Sequence, residues 1–128
     1  MKRSAFLIVA GILPVFFGTT MLLNPNQMLD MVAVDTNLST RLVLQWMSCP
    51  LISIGIMNLL ARHDEGSKAL WAIMIGNILT HVLGMGVDVY EFMNGYLKTS
   101  GIVFGSVLHL VLAGAFVFYL KKLPKMSI

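Results

Sequence analysis

The sequence is short of charge. Of its 128 residues, 12% are charged and 57% hydrophobic, against roughly 25% and 45–50% in ordinary soluble domains. That imbalance excludes a water-soluble enzyme and a nucleic-acid-binding domain. There is one cysteine, Cys49, so neither an intrachain disulfide nor a cysteine metal cage can form. Nor is there an H-E-x-x-H pair, a nucleophile elbow or a phosphate-binding glycine loop, the motifs that would mark catalysis. No segment is of low complexity, and no repeat relates one half of the chain to the other.

What the sequence has instead is long apolar runs. No Asp, Glu, Lys or Arg interrupts Ser4 to Leu29, Leu42 to Ala61, Ala69 to Val87 or Thr99 to Leu120. A helix rises about 1.5 Å per residue, so roughly 20 residues cross a ~30 Å hydrocarbon core. The runs predict an all-α, single-domain, four-helix transmembrane bundle with helices over about 4–23, 40–61, 68–92 and 99–120. Lys2 and Arg3 precede the first run, but the apolar stretch outlasts a signal-peptide core and no A-x-A-like site follows it, so it reads as a membrane span.

The charges flank the runs unevenly. Lys2, Arg3, Arg62, Lys68, Lys121, Lys122 and Lys125 lie on one side, Arg41 and Lys98 on the other. The positive-inside rule then places both termini and the middle loop in the cytoplasm. Trp71 and Tyr119 fall near the predicted inner ends, and Trp46, Tyr90 and Tyr96 toward the outer ends, where interfacial aromatics concentrate.

The connections carry their own signals. Asn24-Pro25-Asn26 ends the first helix. Gln27 to Asn37 is too short and acidic to span, and its Met28, Leu29, Met31 and Val32 around Asp30 predict a short interfacial helix or turn. Thr36, Ser39 and Thr40 are candidate starts for the second span. The charged stretch from Arg62 to Lys68 is tight enough to make its flanking helices antiparallel neighbours. Asn94-Gly95 ends the third span, and Lys121-Lys122 with Pro124 closes the fourth.

The sequences "GTTMLLNP" closing the first span, Arg41 opening the second, "GIMNLLAR" closing it and a Gly/Asn-containing third span resemble the DoxX-like small four-helix membrane proteins, in an uncharacterised bacterial branch. The resemblance implies a bacterial inner membrane and this bundle architecture. It brings no reaction and no binding residues.

Polar residues inside the runs need partners in hydrocarbon. Pro14, the Ser48-Cys49-Pro50 group, Thr80 with His81, and Ser106 with His109 fall near the middle of their four runs, which predicts one polar layer. Each proline frees the carbonyl four residues earlier, Ala10 and Trp46. One reading has His81 and His109 bonding those carbonyls or each other. A second has them as midplane ligands of haem or another tetrapyrrole. Asn77, His81, Gly84 and Asp88 share a helical stripe leading outward. With Thr80 it suggests a polar pocket or path for a lipid, a quinone or a proton. Asp88 is also expected to pair with Arg41 at equal depth. Small-residue faces, Gly76-Thr80-Gly84 and Gly101-Gly105-His109-Ala113, admit a flat cofactor or a neighbouring backbone. The ten methionines are scattered, as core packing requires and a thioether copper site does not.

From residues alone the expectation is therefore a non-catalytic accessory subunit in contact with the lipid bilayer and other transmembrane subunits, with no nucleic acid. The rival readings are a haem- or tetrapyrrole-binding protein on His81 and His109, and a lipid- or quinone-binding or transport element.

Overall fold

The computed structural model of the protein describes residues 1–31, 34–97 and 99–124. The described residues form α1 (Arg3–Leu23), α2 (Pro25–Met31), α3 (Leu38–Leu60), a 3-10 turn (Ala61–His63), α4 (Lys68–Met93) and α5 (Thr99–Leu120), and no strand. Four of the helices, α1, α3, α4 and α5, are long and apolar enough to cross a membrane, which marks a multi-pass membrane protein. Val32, Lys98 and Lys125, which entered the sequence reading, lie outside the described residues.

The helix ends follow local chemistry. α2 begins at Pro25 instead of Gln27, because a proline without an N–H and with fixed φ suits the first helical position. α3 is capped by Asn37, not by Thr36, Ser39 or Thr40 alone. The Asn37 side chain accepts from the Thr40 backbone N–H at 3.0 Å, and the Thr40 hydroxyl accepts from the Asn37 N–H at 3.0 Å. That reciprocal box satisfies two otherwise free donors. Ser67 caps α4 by accepting from Leu70 N–H at 3.1 Å. Asp64 ties the preceding turn by accepting from the Ser67 hydroxyl at 2.5 Å and from the Gly66 and Ser67 N–H groups at 2.9 Å. Those bonds hold the Asp64 carboxyl below its ordinary range, to about 2. Gly66, at φ 144°, supplies a backbone conformation there that other residues rarely adopt.

The long helices pack as two antiparallel hairpins, α1 on α3 and α4 on α5. The first pair is close because glycines face each other. A Cβ added to Gly55 would stand 2.6 Å from the Gly11 carbonyl oxygen, and one added to Gly18 would meet Ile52 at 2.6 Å. In a bilayer, where burial from water no longer drives association, such backbone proximity supplies the van der Waals contact.

The two hairpins meet near the chain termini. Phe6 of α1 packs edge-on against Phe116 of α5, with ring centroids 4.7 Å apart, and stacks on Tyr119 at 4.8 Å. Leu70 and Met74 of α4 complete a fully buried cluster with Leu7 and Phe116. The Tyr119 hydroxyl donates to the Met1 carbonyl at 2.7 Å, and the Arg3 guanidinium donates to the Asp64 carbonyl. Tyr119, next to the end of α5, is thus a buried clasp residue. We call this the clasp end. Lys2, Arg3, Arg62, Lys68, Lys121 and Lys122 gather there, while Arg41 sits at the opposite, far end. Beyond Asn77 on α4, and before Phe116 on α5, no described residue is fully buried. The hairpins are joined at one end and bare toward the other.

Candidate functional site: a polar seam along the second hairpin

The expected polar layer is resolved into two separate features. The first lies at the junction of α1, α3 and α4, and its centre is Asn58. Its side-chain amide donates to the Ala10 carbonyl at 3.0 Å and to Asn77 Oδ1 at 3.0 Å, and Asn77 returns the bond to Asn58 Oδ1 at 2.9 Å. Asn77 also donates to the Ile73 carbonyl at 2.8 Å. Pro14 frees the Ala10 carbonyl, so the break in α1 becomes the acceptor that ties α3 and α4 to it. The histidines expected to answer this carbonyl do not reach it. Asn77, placed in a ligand pocket by its stripe, is instead a buried structural amide. Asn58 was not singled out in the sequence. The available signal was that an Asn inside an apolar run needs a partner, and a second Asn lay across the next turn.

The second feature runs along the α4–α5 seam. His81 and His109 meet there, Nδ1 to Nδ1 at 3.0 Å, with ring centroids 5.3 Å apart. One imidazole donates and the other accepts across this bond. His81 also stacks on Phe116 at 5.9 Å. The other nitrogen of His109 lies against Gly84, where an added Cβ would be 2.8 Å from Nε2. Nearer the far end, Asp88 turns toward α5. Its carboxylate accepts from the Ser106 hydroxyl at 3.4 Å, and a Cβ at Gly105 would stand 2.5 Å from Oδ2. Glycines 84 and 105 therefore make room for the imidazole and the carboxylate. The Gly101-Gly105-His109-Ala113 face of α5 is largely spent inside the chain.

Three expectations are corrected by this arrangement. Arg41 and Asp88 do not pair, because Arg41 is exposed on α3 in the first hairpin while Asp88 faces α5 in the second. Thr80 is exposed and its hydroxyl donates to the Gly76 carbonyl at 2.9 Å, so it lies off the seam. Tetrapyrrole ligation by both histidines does not fit. An iron between two imidazole nitrogens would hold them roughly 4 Å apart, twice a metal–nitrogen bond. Here the facing nitrogens are at hydrogen-bond distance and the remaining His109 nitrogen abuts backbone. Among the described residues no group of three or more His, Cys, Asp or Glu is placed to hold a metal ion.

The first hairpin contributes an apolar cleft of about 410 Å³ at the far end, walled by Met21, Leu29, Val34, Val43, Leu44 and Met47, with Ser39 and Thr40 at its rim. Its cover comes from α2, whose Leu29 is buried. No family model, no curated protein and no solved structure matches the chain.

Proposed function

We propose that the protein is an accessory binding subunit of a larger membrane assembly, without catalysis of its own. It would sit in a bacterial inner membrane with both termini cytoplasmic, as a member of the DoxX-like kind. The observation that carries this reading is the one-ended junction of the hairpins. Toward the far end, α3, α4 and α5 expose apolar faces that their own chain does not cover, among them Leu42, Trp46, Leu83 and Val107. Gly76, Gly86 and Gly114 have open space where a side chain would stand. Glycine costs a helix about 1 kcal/mol relative to alanine, and open glycines in a span suit the close approach of another helix. The basic residues gathered at the clasp end support the cytoplasmic placement of that end.

The test is extraction from the native membrane in mild detergent, followed by mass spectrometry of what remains bound. The reading expects a transmembrane partner at fixed stoichiometry. A lone monomer, recovered whatever the detergent, overturns it.

A further inference from the structure

We propose that the clasp end binds one anionic phospholipid of the surrounding leaflet, its phosphate on Lys121, Lys122 and Lys2 and an acyl chain along the outer face of α5. The inference stands apart from any partner subunit and from the orientation of the chain in the membrane.

The two ends of the molecule carry charge of opposite sign. Of the six acidic residues, Asp30, Asp35, Asp88 and Glu91 lie toward the far end. That leaves Asp64 and Glu65 beside Lys2, Arg3, Arg62, Lys68, Lys121 and Lys122, and the sequence beyond Pro124 adds Lys125 and no acidic residue. The Asp64 carboxylate is turned onto its own loop, where it accepts from the Gly66 and Ser67 N–H groups and the Ser67 hydroxyl. The clasp end is therefore a concentration of positive charge, and a phosphodiester in an adjacent lipid is its complement.

Orientation in a membrane asks only that basic residues lie on one side. Here the chain also fixes where they stand. α5 ends in a turn closed by bonds from Lys122 N–H to the Tyr119 carbonyl and from Leu123 N–H to the Leu120 carbonyl, both at 3.1 Å. Leu123 is buried in the core cluster, so the exposed Lys121 and Lys122 sit on an anchored turn. The bond from the Tyr119 hydroxyl to the Met1 carbonyl, at 2.7 Å, brings the exposed Lys2 to the same place.

The surface next to these amines is what favours a lipid over a free anion. Lys122 Nζ stands 4.0 Å above the Phe118 ring. Phe118 is exposed, and the exposed Val111 lies two turns along the same face of α5. An apolar helix face that ends in anchored amines matches a phospholipid part for part, phosphate against Lys121 and Lys122, acyl chain against Phe118 and Val111. A free phosphate would engage the amines and leave the apolar face unused.

The experiment titrates the full chain in mild detergent with dioleoylphosphatidylglycerol or dioleoylphosphatidylcholine and counts bound lipid by native mass spectrometry. One phosphatidylglycerol should be retained in a saturable step, about tenfold more tightly than phosphatidylcholine. Lys122→Gln should weaken it by about fivefold, and Lys121→Gln with Lys122→Gln by about tenfold or more. Arg41→Gln, which removes the same charge at the far end, should leave it unchanged. Phe118→Ser should weaken it with every charge in place, and excess sodium phosphate should not displace it. Equal retention of the two lipids, equal losses in Lys122→Gln and Arg41→Gln, no loss in the double variant, displacement by phosphate, or no phosphatidylglycerol on the wild type overturns the proposal. Helical content and elution position are checked for each variant, and Lys121→Arg with Lys122→Arg, which keeps both charges, should bind as the wild type does.

Discussion

The two ends of the molecule differ in whether polar groups tie one hairpin to the other. At the clasp end Asn58 is matched with Ala10 and Asn77, Tyr119 with Met1, and Asp64 with Gly66 and Ser67, while the buried Trp71 indole N–H and Arg3 Nε have no partner among the described residues. At the far end the Asn37–Thr40 box and the bond from the Gln45 amide to the Leu22 carbonyl are satisfied within the first hairpin. Asp88 of the second hairpin has, among the described residues, one long bond, and α3, α4 and α5 present uncovered apolar faces. Satisfied polar groups in hydrocarbon stabilise contact between helices. Contact between the two hairpins is thus concentrated at one end.

That contrast can be broken by substitution, starting at its strongest point. Asn58→Leu strands both the Ala10 carbonyl and Asn77 Oδ1, and should destabilise the fold by about 1–3 kcal/mol, read by denaturant or steric-trap unfolding in micelles. Asn77→Leu should cost less, because Asn58 keeps its bond to Ala10. If Asn77→Leu proves the costlier change, the junction is not built around the carbonyl freed by Pro14.

Glycines sharpen the same comparison. Gly55→Ala drives a methyl into the Gly11 carbonyl and should cost about 1–3 kcal/mol as overpacking. Gly76→Ala meets open space and should be neutral or stabilising by up to about 1 kcal/mol in the isolated chain, measured in the same unfolding assay. Its effect should reverse in the assembly, where it would weaken partner retention. Tyr119→Phe, which removes one hydrogen bond at the clasp, should cost about 1 kcal/mol.

The smallest effect expected is one of pH. Because the folded-state carboxyl of Asp64 is depressed to about 2 by its bonds to Ser67 and Gly66, its contribution is fully present above its ordinary value of 3.8. It is lost as pH falls toward 2. Hydrogen exchange of the Gly66 and Ser67 amides should therefore gain protection between those limits as pH rises, and Asp64→Asn should abolish that dependence. Protection that is flat with pH in the wild type would show that the carboxylate does not hold the turn.

Much of the helical framework was legible in the residues. Charge-free runs gave the four spans to within a few residues, and Pro25, the Arg62 to Lys68 stretch and Asn94-Gly95 marked breaks that the structure keeps. The meeting of His81 with His109 was also open to reading, because two midplane histidines on antiparallel neighbours at matched depth have few other partners. The failures concern direction around the helix axis. Depth along a span can be counted, but whether Asp88 faces α3 or α5 depends on which helices pair, and low amphipathicity leaves that unspecified. Asn58 was overlooked for a related reason. Its importance comes from facing the one carbonyl that Pro14 exposes, a coincidence of two helices that no single run contains.

The central claim is that the hairpins are joined at the clasp end and apart at the far end. Double electron–electron resonance in nanodiscs tests it directly, with spin labels placed on a Cys49→Ser background at residues 2 and 121 for the clasp and 23 and 99 for the far end. The account predicts a short, narrow distribution for the first pair and a longer, broader one for the second. Distributions equally short and narrow at both ends would contradict it.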